Sequence, residues 1–156
     1  MALTDLIIIP VFLVAFAITV YASFYMLTAI KNSDINTPTT EPILNSGLAA
    51  VGQFDWLFPV MTTMFGLGSV ALAYFYPSHP IFLIFGVIMF SLTFFLVPTI
   101  ANVFSEFSSD SQMSAVKPNF TMIDWTMANM PIIMSVFGFF MIVVLYSRQR
   151  NVGGSE

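Results

Sequence analysis

No cysteine occurs among the 156 residues, and the one histidine is His79. The first absence excludes disulfides, thiolate metal sites, iron–sulfur clusters and covalently attached haem. The second removes the paired imidazoles on which membrane haem, copper and quinone sites depend. Charge is scarce as well: four Lys and Arg against eight Asp and Glu, 8% of the chain, with a net charge of −4. That balance offers nothing to hold nucleic acid or anionic lipid by charge. Most telling is where charge is missing. Residues 6–30, 56–76, 81–104 and 125–147 contain no Asp, Glu, Lys, Arg or His. Proton pumps, ion-coupled carriers and charge-gated channels place ionisable groups at membrane depth. No acid/base pair or nucleophile constellation stands out either. The expectation is a non-enzymatic protein with no catalytic, cofactor-binding or metal-binding residue.

What is present is apolar length. At about 1.5 Å per helical residue, each uncharged run reaches or exceeds the roughly 30 Å hydrocarbon core of a bilayer. A soluble core helix has no need to be so long and apolar on every face. The fold class expected is all-α: a polytopic membrane protein with four transmembrane helices, forming a single domain over residues 1–156. The N-terminus lacks the positive region of a signal peptide, so its run reads as a retained first span. Arg148 and Arg150 follow the fourth span and favour placing both termini on the cytoplasmic or interior side. The connections of 25 residues (31–55) and 20 residues (105–124) then face outward. Both are rich in Ser, Thr, Asn and Pro, with room for a short surface helix. They are expected to order only against a partner, since fixing a residue costs about 1–2 kcal/mol.

The sequence features of one helical hairpin recur in the second half of the chain. Pro10 and Pro80 each open a Pro-x-Phe-Leu run, and Asp55-Trp56 and Asp124-Trp125 each enter the span that follows. Pro59, Phe65, Gly66 and Tyr74 recur with the same spacing as Pro131, Phe137, Gly138 and Tyr146, at offsets of 69 to 72 residues along the whole pattern. A tandem duplication of a two-helix hairpin would give a pseudo-twofold axis along the membrane normal. The other reading is that each feature solves the same local problem twice. Trp56 and Trp125 are expected as interfacial anchors at one membrane boundary, and Tyr74, Tyr76 and Tyr146 at the other. Asp55 and Asp124 are placed to cap helix starts, and Thr121 and Asp124 have capping-box spacing. Pro10 and Pro59 lie near span starts, where a missing N–H costs little. Pro98 and Pro131 lie further in and are expected to kink their helices, freeing the carbonyls of Phe94 and Met127.

Small residues point to close helix contacts. Ala15, Thr19 and Ser23 form a stripe on the first span, and Gly66 and Gly68 thin the second; such positions let helices approach in lipid. They fit packing of the first two spans or self-association into a homo-oligomer. The turn from Pro77 to Pro80 is short, so the second and third spans are expected to be antiparallel neighbours. His79 in that turn reads as a solvated side chain. Asn119-Phe120-Thr121 fits a glycosylation sequon and reads as coincidence.

The stretch Gln53-Phe-Asp-Trp-Leu-Phe-Pro59, the Ser78-His-Pro-Ile-Phe82 turn, Ala101-Asn-Val-Phe-Ser-Glu-Phe107 and Asn129-Met-Pro-Ile-Ile133 resemble segments of a particular class. These are small multi-span virion membrane proteins of membrane-containing, tailless icosahedral phages. The resemblance runs from about Gln53 to Tyr146 and brings no catalytic residue with it. It implies a structural protein of a virion's internal membrane, or of the host cell membrane before assembly. Its partners would be membrane lipid and other membrane or capsid proteins, met through the two long connections, with no nucleic acid. The alternatives are an accessory subunit of a membrane enzyme or transporter complex, and a holin-like pore former.

Overall fold

The computed structural model describes residues 2–34, 36–75 and 81–152. Among them there is no strand. Six helices follow in order: α1 (Ala2–Lys31), α2 (Glu41–Gly52), α3 (Phe54–Phe75), α4 (Ile81–Ser109), α5 (Thr121–Ala128) and α6 (Met130–Val152), with a 3-10 turn at Lys117–Asn119. Four segments are long and apolar enough to cross a membrane, in α1, α2–α3, α4 and α6. The chain is an integral, all-helical membrane protein.

The four long helices form a closed ring in the order α1, α4, α6, α3. Ring contacts give their directions. Phe12 meets Phe65 and Phe16 meets Phe54, so α1 and α3 run antiparallel. Tyr21, in the second half of α1, meets Phe104 and Phe107 near the close of α4, so the later parts of both helices lie at the same end, as in parallel spans. Among the described residues α3 and α4 barely touch. These two spans are therefore diagonal and not the antiparallel neighbours that the short turn suggests. The turn itself, with Tyr76 and His79, lies outside the described residues. A twofold axis along the normal would set α1 opposite α4 and α3 opposite α6. Instead, both of these sequence-matched pairs are neighbours. The matched helices thus pair along two seams.

The ring's interior is apolar, and three of its buried hydroxyls are satisfied locally, whereas the buried Thr28 hydroxyl on α1 has no partner among the described residues. Thr62, Ser69 and Thr93 are buried, and each donates to a carbonyl one turn back, at 2.8–2.9 Å. Where no water can substitute, such back-bonding is the available way to satisfy a hydroxyl. Gly66 is buried against Phe137, and a Cβ there would lie 2.3 Å from the ring. That glycine lets α3 and α6 close on each other. Gly68 faces outward with nothing within 4 Å, so it contributes no contact inside the chain. Ala15 and Thr19 are exposed as well, and Ser23 is half-buried. The small stripe of α1 thus points away from α3.

At about 1.5 Å per residue, α1 is about 45 Å long and α4 about 43 Å, well beyond the hydrocarbon thickness. The excess lies at one end and is built into a folded cap. Tyr21 and Phe24 of α1 pack on Phe120, and Tyr21 also meets Phe104 and Phe107 of α4. Val116, Phe120 and Ile123 are buried in the same cluster. The connection 105–124 is therefore packed on its own bundle. Enough aromatic surface returns to the core to offset the cost of fixing its backbone. The other connection holds α2, which has no buried residue. It continues into α3 through Gln53, whose backbone is helical (φ −65°, ψ −22°). α2 leans on the end of α1; a Cβ placed on Gly47 would lie in ordinary contact with Leu27, at 3.5 Å.

Candidate functional site: the polar end of the bundle

The charged side chains that α3 and α5 supply meet where the cap joins the spans. Asp55, in the first turn of α3, does not cap its own helix. Its Oδ1 accepts the backbone N–H groups of Met122 and Ile123 at 2.9 Å each. These belong to the first turn of α5, where backbone donors lack intrahelical acceptors and the dipole favours a negative charge. Asp55 is a cap supplied across the bundle. Asp124 has a different task. It lies inside α5, where no side-chain cap bond forms, so the capping box with Thr121 is not made. Its Oδ1 accepts the Tyr21 hydroxyl at 2.5 Å, and its Oδ2 lies 3.7 Å from Lys117 Nζ. Tyr21 is fully buried, so the carboxylate supplies the partner that a buried phenol requires.

The fourth apolar run is two helices. Pro131 has no N–H to offer the carbonyl of Met127, and its ring clashes with a straight continuation. The chain breaks at Asn129 (φ −97°, ψ 3°), whose backbone N and side-chain Nδ2 both donate to the Trp125 carbonyl, at 3.1 and 2.8 Å. Pro131 therefore occupies the first turn of α6 and does not kink a helix interior. The span proper starts at Met130, not at 125. Pro98 stands inside an unbroken α4, while Pro10 and Pro59 stand inside α1 and α3 and not at their starts.

Pro98 and Pro131 come together across the α4–α6 seam. They line an open cleft of about 480 Å³, with Ala101 and Met127 at its apolar end and Ser105, Ser108, Lys117 and Asp124 at its polar end. The sequence marks both prolines; that they face one another is a fact of the ring order alone. Trp125 stands at the rim. Trp56 and Trp125 are exposed on the outside of the bundle at this cap end, and Trp56 donates to Gln53 Oε1 at 3.0 Å. Tyr74 and Tyr146 are exposed at the opposite end. Among the described residues no group of three His, Cys, Asp or Glu could hold a metal ion.

Comparison with protein families, curated proteins and solved structures finds no match for this chain.

Proposed function

We propose that the chain is a non-enzymatic structural protein of a membrane, and that this membrane is the internal one of a virion. The observation that carries the reading is how the polar groups at the cap end are used. Asp55, Asp124 and Tyr21 each hold one helix to another, which is the chemistry of a scaffold. The cap also offers a surface to partners. Met26, Ile30 and Ile43 are exposed on α1 and α2 beside the polar residues of that connection, Ile43 to 71%. Apolar side chains exposed where α1 closes and α2 begins are suited to a protein contact. The virion assignment rests on the resemblance of the segments between Gln53 and Tyr146 to phage virion membrane proteins.

Two measurements test this. Purified lipid-containing particles from the source should contain the chain in stoichiometric amounts; its absence from them sinks the virion reading. Replacing residues 41–52 with a Gly/Ser linker should leave membrane insertion intact and abolish incorporation into particles. Normal incorporation of that variant would remove α2 as the contact.

A further inference from the structure

Two cavities run along one side of the bundle, in the seam between α4 and the α5–α6 pair. The upper is the cleft at Pro98 and Pro131. The lower, about 610 Å³, is lined by Phe94, Ile132, Val136, Phe139 and Phe140 and shares Pro131 with the first. Their chemistry changes along the seam. Lys117, Asp124 and two serines stand at the top, level with the base of the cap, and aromatic and branched aliphatic side chains follow below, with Ser135 among them donating to the Pro131 carbonyl. From Pro131 to Phe140 the lower part covers about 14 Å of helix axis, close to the roughly 15 Å depth of one leaflet's hydrocarbon.

The polar end is a matched pair of opposite charges, not a basic patch. Lys117 and Asp124 lie 3.7 Å apart, with 45% and 21% of their side chains exposed. That separation exceeds the usual length of a direct charged hydrogen bond. Both groups therefore keep capacity for a further partner, although Asp124 also accepts from Tyr21. A net-anionic headgroup would meet the Asp124 carboxylate without compensation. A quaternary ammonium has no N–H to donate to it.

The geometry points to a binding site in the α4–α5–α6 seam for one glycerophospholipid whose headgroup carries both a phosphate and a primary ammonium. The phosphate faces Lys117 and the serine hydroxyls, the ammonium faces Asp124, and an acyl chain follows the seam past Phe94 and Phe140. This needs only a bilayer, so its failure would leave the structural role proposed above untouched.

The test uses the full chain in mild detergent, offered equal amounts of phosphatidylethanolamine, phosphatidylcholine and phosphatidylglycerol with identical acyl chains. Native mass spectrometry counts what is retained. One phosphatidylethanolamine per chain is expected, at least tenfold over either competitor. Lys117→Gln should cut that retention at least tenfold, while Lys31→Gln, away from the cleft, should leave it unchanged. Ala101→Phe, which fills the cleft, should abolish retention; if circular dichroism shows that variant unfolded, Lys117→Gln decides alone. Equal retention of the three lipids, a preference for phosphatidylglycerol, indifference to Lys117→Gln, or a lipid-free dimer closing the seam would each overturn the site.

Discussion

Asp55 shows how one side chain can act on an element 67 residues away. Its carboxylate oxygen receives two N–H groups of α5, and without it those donors would sit at a partly buried helix start with no acceptor. Asp55→Ala is expected to lower stability by about 0.5–2 kcal/mol, the usual cost of losing a helix N-terminal cap. Asp55→Asn should lose less, because an amide oxygen still accepts. Unfolding in mixed detergent micelles measures both. The sequence does mark Asp55 as a cap, since an acid before an apolar run favours a helix start. Which helix it caps depends on α3 lying beside α5, and no local pattern encodes that. Tyr21 was hidden for a related reason: inside an apolar run a tyrosine reads as one more aromatic, and its hydroxyl's partner is 103 residues distant.

At the scale of elements, the four apolar runs announce four spans because nothing else accommodates so much uncharged length. Their ends are less legible. Residues 125–147 are continuous in hydropathy, so the division between α5 and α6 is visible only through Asn129 and Pro131, which look alike whether a helix bends or stops. The seam between α3 and α6 depends on Gly66. Gly66→Val would drive a branched side chain into the Phe137 ring, since even a Cβ would lie 2.3 Å away. A loss of about 1–3 kcal/mol is expected from such overpacking, with partial recovery when Phe137→Ala is added. A double-mutant cycle in micelles would reveal the coupling; strictly additive losses would count against direct contact. The two connections should also behave differently. Phe120 is fully buried between Tyr21 and Phe24, so Phe120→Ala should cost about 3–5 kcal/mol. Replacing residues 41–52, none of them buried, with a flexible linker should barely shift the melting temperature. Equal sensitivity of the two connections would contradict a cap built from the second alone.

For the whole molecule, the closed ring and the one-sided cap fix which ends of the spans share a face, while charge only weakly marks which face is the inner one. Two basic residues on each side make a poor positive-inside signal. The cap, by contrast, gathers Asp55, Lys117 and Asp124 at one end of the ring, together with the ends of α1 and α4, while Tyr74 and Tyr146 mark the other end. Since α1 and α3 run antiparallel and α1 and α4 parallel, the starts of α1 and α4 share the Tyr end with the close of α3 and α6. Both chain termini should therefore lie on the face opposite the cap. The native chain has no cysteine, so single cysteines report without background. Ser46→Cys in α2 and Ser109→Cys at the close of α4 should label from the same face of sealed vesicles, and Ser147→Cys from the opposite face. All three positions are exposed, so a failure to label would not reflect burial within the protein. Labelling of Ser46→Cys and Ser109→Cys from opposite faces would overturn the parallel course of α1 and α4, and with it the one-sided cap.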